Sequence, residues 1–249
     1  MKTHLIPAAA LLGLCLLAAN GYAQDNPIDS VKMEPRSFND VPAATLASDN
    51  NYPSSIFFYE GFVSAPSGFA NRDAWRFSGN GGTTAYAFDN NEYFRVSMTV
   101  SLLGAPASPR KEAGFLLSSI GGDGQFIVNT DAHEVVAFGG PFPFYAFPST
   151  FDSGETITLG LNYFPGPGGN YIIYTANGVS SPALPFTNLE KGIIDGSTLG
   201  GYFQIVNDPA NPMNSGLAMF QNISFEVPEP SGLVLLGLGL LPLLWRRRS

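Results

Sequence analysis

Cysteine and histidine are almost missing from this chain: 249 residues hold one cysteine, Cys15, and two histidines, His4 and His133. A single thiol excludes an intramolecular disulfide framework, so the fold has to rest on a packed core. So few nitrogen and sulfur ligands exclude a His/Cys zinc centre. A Ser-His-Asp hydrolase would have to use His133, and no Gly-x-Ser-x-Gly elbow accompanies it. Flanked by Asp131 and Glu134, His133 reads instead as a solvated turn residue. Charge is also scarce, at 13% of residues, with a net charge of −8. A surface of that sign repels nucleic acid, which excludes DNA or RNA as a partner. It equally disfavours direct adhesion to anionic lipid or strongly acidic polysaccharide unless divalent cations bridge the two. Long apolar runs are absent except at the two ends.

Those ends read as addresses. Lys2 and His4 precede the apolar stretch 5–19, and Gly21-Tyr22-Ala23 places small residues at −3 and −1 of a cleavage site. This is a secretory signal peptide over residues 1–23, passed through the Sec translocon and cut after Ala23. Leu14 occupies the place where a lipid-acceptor cysteine needs a small residue, so Cys15 is not an anchor and leaves with the signal. At the other end, Val227-Pro228-Glu229-Pro230 leads into the apolar run 232–245, closed by Arg246, Arg247 and Arg248. The arginines resist crossing because a desolvated cation is costly at the bilayer centre. Fourteen helical residues span about 21 Å against a hydrocarbon core of ~30 Å. Such a helix is either a marginal retained anchor or a transient stop.

This tail, residues 227–249, resembles the PEP-CTERM protein-sorting signal of Gram-negative bacteria, whose hallmark is the Pro228-Glu229-Pro230 triplet. The resemblance implies a membrane sorting enzyme, exosortase, as partner. It also implies cutting near the triplet, delivery to the cell surface or beyond, and an association with exopolysaccharide and biofilm.

Between the ends, 28 glycines and 20 prolines with 20 phenylalanines and 10 tyrosines exclude long helices. Residues 24–51 carry Pro27, Pro35 and Pro42 among scattered charges and show no apolar periodicity, which predicts a disordered leader. From 52 to 226, strands follow at short intervals. In 93–102, Phe94, Val96, Met98, Val100 and Leu102 alternate with Arg95, Ser97, Thr99 and Ser101, the pattern of a sheet with one face buried. Residues 156–163 repeat it. The last strand, 219–227, repeats it imperfectly, with Phe220 outward and Gln221 inward. Turn chemistry predicts a hairpin of 111–120 with 125–130, and another across 165–169. Further strands are predicted at 56–62, 73–78, 83–88, 134–138 and 199–206, and one helical turn at 188–195. About a dozen antiparallel strands without a covering helix form two facing sheets, an all-β jelly-roll sandwich.

The series Phe57-Phe58-Tyr59-Glu60-Gly61-Phe62, Trp75, Ala113-Gly114-Phe115, Leu159-Gly160-Leu161-Asn162-Tyr163, Asn170-Tyr171-Ile172-Ile173-Tyr174 and 200–206 resembles the concanavalin A-like lectin/glucanase superfamily in its laminin G-like form. That resemblance implies a fold and carries no functional fingerprint. The Glu-x-Asp-x-x-Glu run of its β-glucanase branch, which sets three carboxylates on one face of a strand, is missing.

For sites, the sequence offers an aromatic surface and acidic turns. Trp75 and Tyr145 are the predicted sugar-stacking residues, against the alternative that large aromatics fill the core. Asp89, Glu92 and Asp208 are the oxygen ligands that calcium could use, although Asp and Asn are also ordinary turn residues. No cofactor is required by anything in the sequence. The acidic residues fall in turns, strand ends or the leader. The expectation is therefore a non-catalytic exported module, binding extracellular polysaccharide or filling the matrix. The alternative is a secreted carbohydrate-active hydrolase or lyase on the same sandwich.

Overall fold

The strict alternation of 94–102 is realised as a central strand whose five apolar side chains are each 2% exposed or less. In the computed structural model, residues 26–89, 91–166, 169–185 and 194–227 are described. They form fifteen strands and no helix. In chain order these begin with β1 (Ser30–Asn39), β2 (Thr45–Asn51), β3 (Ser55–Gly61), β4 (Ala70–Ser78) and β5 (Phe94–Ala105). Then come β6 (Lys111–Ser119), β7 (Gly122–Asn129), β8 (Val135–Phe138), β9 (Tyr145–Ala146) and β10 (Thr156–Phe164). The series closes with β11 (Tyr171–Ala176), β12 (Val179–Ser180), β13 (Leu184–Pro185), β14 (Thr198–Val206) and β15 (Ser215–Glu226). One sheet runs β1-β4-β14-β6-β7-β8-β9; the other runs β12-β11-β10-β5-β15-β3-β2, with β13 also on β11. Every paired ladder is antiparallel. The all-β jelly-roll sandwich expected from the sequence is what forms.

The two sheets meet over an aromatic core. Trp75 is fully buried, edge-on to Phe77 at 5.2 Å and to Phe220 at 5.9 Å. Gly201 lies opposite it in the register, and a Cβ there would meet the indole Nε1 at 2.5 Å. Glycine at that position is what lets the indole lie against β14. Trp75→Ala is expected to cost about 3–5 kcal/mol, read as a lowered denaturant midpoint with the slope unchanged.

Two sequence expectations are corrected here. The stretch 24–51 was expected to be disordered, yet β1 and β2 occupy most of it, one at an edge of each sheet. Their signal is faint because edge strands gain their place through backbone pairing. Apart from half-buried Leu46, every side chain of β2 is exposed. In β1 the register slips between Glu34 and Phe38, with Arg36 at φ 51°, so Pro35 sits in a bulge where no ladder donor is needed. The expected strand at 83–88 is the second correction: Ala87 makes a single bridge to Thr198 and the rest is loop. A third feature resolves an anomaly. Phe220 is fully buried, and a bulge between Gln221 and Ser224, with Asn222 at φ 50°, shifts the alternation so that Ile223 and Phe225 also point inward. Most of the predicted helical turn at 188–195 lies outside the described residues.

A polar knot closes the sandwich beside the β1 bulge. The Arg36 guanidinium donates to Glu60 through Nε at 3.0 Å and Nη2 at 3.2 Å, while its backbone N–H donates to Asp73 Oδ1 at 2.7 Å. Asp73 Oδ2 is enclosed with no partner. Burial, together with the neighbouring Glu60 charge, outweighs the Arg36 contacts and pushes the Asp73 carboxyl up to about 7. The folded state then holds a proton that the unfolded chain releases near pH 4. Stability is full below that point and falls as the pH rises through about 7. The span corresponds to at most about 4 kcal/mol. Chemical denaturation across this range should show the decline, and Asp73→Asn should flatten it.

Candidate active site

Each sheet keeps one face away from the core, and the two outer faces differ. On the eight-stranded sheet it is a field of serines, threonines and half-exposed apolar residues. On the seven-stranded sheet it carries the chemistry. The register sets Gln204 between Arg72 and Glu112, and Glu112 opposite Asn129. Tyr202 falls between Ala74 and Gly114 on the same face.

Glu112 is the centre of this arrangement. It is 5% exposed, and its Oε1 accepts from the Tyr202 hydroxyl at 3.1 Å and from Gln204 Nε2 at 2.9 Å. Its Oε2 faces the Arg110 Nη1 at 3.8 Å. Burial raises the Glu112 carboxyl above its ordinary range; the Tyr202 hydrogen bond and the Arg110 charge oppose that without cancelling it. Tyr202 is enclosed, and burial beside the carboxylate keeps its phenol neutral well past the usual range. Arg110 also pairs with Asp131 at 2.9 Å and reaches Glu134 at 4.0 Å, and Glu134 accepts from Asn129 at 2.9 Å.

Further along the face, Arg72 donates through Nη1 to Asp123 Oδ2 at 3.2 Å, while its Nε is enclosed without a partner. Arg76 is fully committed, donating to Leu116 O and Ser118 Oγ at 2.8 Å each and pairing with Glu34 at 3.4 Å. The floor between these groups is apolar, built by Ala74, Leu116, Ile127, Val136 and the Tyr202 ring, with Phe138 packed against it.

None of the site residues predicted from the sequence belongs to this constellation. Trp75 faces the opposite way, into the core, so it presents no stacking surface for a sugar. Tyr145 is half-buried on β9, its ring edge-on to Phe147 at 4.9 Å and five strands, or about 24 Å, from β4. Asp89 and Glu92 serve their own loop: Glu92 Oε2 accepts the Asp89 N–H at 2.7 Å, and Asp89 Oδ1 accepts the Asn91 N–H at 2.8 Å. Asp208 caps a different loop, accepting the Ala210 N–H at 3.1 Å. Among the described residues no group of three His, Cys, Asp or Glu side chains is placed to hold a metal ion. His133 is half-exposed and meets Asp152 at 2.6 Å. Ala23, Pro228, Glu229, Pro230 and the three terminal arginines lie outside the described residues, as does the expected apolar helix; among the described residues no helix is long and apolar enough to cross a membrane. The residues missed were legible only in part. Arg72-x-x-x-Arg76 and Tyr202-x-Gln204 show a polar alternation, but only the pairing of β6 with β14 brings Glu112 to them.

The sandwich fold is shared with solved alginate lyases. The chain is similar to an alginate lyase from Pseudomonas aeruginosa, at a TM-score of 0.55 and 12% identity over 72% of this chain and 85% of that one. It is similar to alginate lyase A1-II' of polysaccharide lyase family 7, at 0.52 and 12% over 79% and 94%. An alginate lyase from a Corynebacterium species matches at 0.50 and 13% over 81% and 99%. These identities establish a shared fold. They also overturn the expectation that the sandwich is not an enzyme, because these three proteins of the same fold are alginate lyases. No curated protein matches the chain. Residues 226–248 match the PEP-CTERM protein-sorting motif, so the chain is exported and carries a C-terminal membrane-anchoring sorting signal read by exosortase.

Proposed function

We propose that this protein is an exported polysaccharide lyase, sorted to the cell surface or its matrix, that cleaves a uronate-containing polysaccharide by β-elimination. The observation carrying this reading is Glu112, a nearly enclosed carboxylate held by Tyr202 and Gln204 between two arginines. Elimination needs a base for the proton beside the sugar carboxylate, and donors that accept the charge building on that carboxylate. Glu112, with its raised pKa, is the base. Gln204 and the guanidinium groups of Arg110 and Arg72 are the donors. The proton passes from C5 to Glu112, the electron pair forms the C4–C5 double bond, and the C4–O bond breaks. The departing oxygen takes a proton from Glu112 or from water. The Tyr202 hydroxyl donates to Glu112 and acts by positioning it. Hydrolysis by paired carboxylates is less well served. Glu34, Asp123, Asp131 and Glu134 on this face are each engaged by a cation or an amide.

The test is a time course of the exported chain with alginate, pectate and hyaluronan. The ultraviolet absorbance of the unsaturated sugar is followed beside a reducing-end assay. Both signals should rise together; reducing ends without absorbance would make the enzyme a hydrolase.

A further inference from the structure

Among the described residues, the outer face of the eight-stranded sheet, unlike that of the seven-stranded sheet, carries few charges. Its pairing sets Phe57 beside Met219, and Tyr59 beside Leu217, on neighbouring strands. Across β5 the Tyr59–Leu217 row ends on Leu103, the Phe57–Met219 row continues into Ser101 and Thr156, and in the next row Thr99 and Thr158 hydrogen-bond to each other at 3.3 Å. The charges on these rows stand at their margins: Asp49 on the edge strand β2, and Arg95 against Glu226 at 3.8 Å at the far end.

Tyr59 has a particular posture. A Cβ on Gly61 would meet its Oη at 2.6 Å and its Cε1 and Cζ at 2.9 Å. Gly61 is two residues on and therefore on the same face, so the ring lies down along the strand over the glycine. A ring in that posture presents its second face away from the sheet, and Tyr59 remains half-exposed. An upright tyrosine would offer only an edge.

We infer that this face binds a neutral polysaccharide chain, with Tyr59 as the stacking platform, separately from the lyase site on the other sheet. A pyranose ring needs a flat apolar surface for its C–H face and uncharged hydroxyl or amide partners beside it. Here both lie in adjoining cross-strand rows, without a central charge to desolvate. A second copy of the chain is the less fitting occupant. The cores of protein interfaces are depleted in serine, and threonine contributes little there, whereas Ser97, Thr99, Ser101, Thr156 and Thr158 stand together on this face.

The probe is amorphous cellulose, sedimented with the exported chain, and alginate turnover is followed in the same preparations. Wild type is expected to co-sediment with little dependence on salt. Tyr59→Ala and Thr158→Glu should each weaken retention about tenfold or more, in line with the loss of one stacking or desolvated contact. Thr158 is exposed, so that variant tests the face without disturbing the core. Both variants should keep the wild-type melting profile and alginate turnover, and Glu112→Gln should keep cellulose retention. Absence of retention, or retention indifferent to both variants, overturns the inference. So does a dimer in solution that Tyr59→Ala dissolves, because the face then belongs to a second copy.

Discussion

Glu112→Gln is expected to lower the rate of uronate-polymer cleavage by about 10²–10⁴, the usual worth of a positioned general base. The amide is isosteric and can still accept from Tyr202 and Gln204, so the melting profile should hardly move. Tyr202→Phe separates positioning from chemistry. The Tyr202 hydrogen bond is the largest influence lowering the Glu112 pKa. Its removal should move the acid limb of the pH–rate profile to higher pH, with a smaller loss at the optimum. A change confined to stability, with the pH profile fixed, would mean that Tyr202 only fills space. Gln204→Ala removes the second donor to the same oxygen and should displace the limb in the same direction.

The second large effect concerns the tail. Replacing Pro228, Glu229 and Pro230 by alanine should take the processed fraction from nearly all of the protein to nearly none, read as the intact C-terminal mass by mass spectrometry. The uncut chain keeps its apolar run and three arginines and should partition with membranes. β15 ends at Glu226, with Val227 between it and the triplet, so the substitutions fall outside the strands of the described residues. Unchanged processing would mean that the motif at residues 226–248 is not what the sorting enzyme reads.

The sandwich was legible because period-two alternation is a direct consequence of one-sided burial, and β5 shows it from Phe94 to Leu102 and β10 on either side of Gly160. Where burial fails, the signal fails with it. β2 exposes all but one of its side chains and β1 buries only Val31, so both gain position through backbone ladders. The site was harder to see for a related reason. Glu112 follows Lys111 at the start of β6, and as a pair they read as an ordinary polar strand end. The register with β14 sends Lys111 inward, where its Nζ donates to Pro106 O at 2.7 Å and Pro109 O at 2.8 Å. The same register sends Glu112 outward to Tyr202 and Gln204. Trp75 misled because aromatic rings serve cores and sugar platforms equally well, and only the face of β4 distinguishes the two. Net charge gave no guide to the site, because Lys32, Arg72, Arg76 and Arg110 share one sheet face with Glu34, Glu112, Asp123, Asp131 and Glu134 and each cation meets at least one of these carboxylates.

The most direct test of the central claim is the mass of the oligosaccharides that the exported chain releases from alginate. β-Elimination predicts products lighter by one water than the saturated oligomers, formed by wild type and lost in Glu112→Gln. Saturated products from the wild-type protein would contradict the account, and so would a uronate polymer left intact by a correctly folded chain.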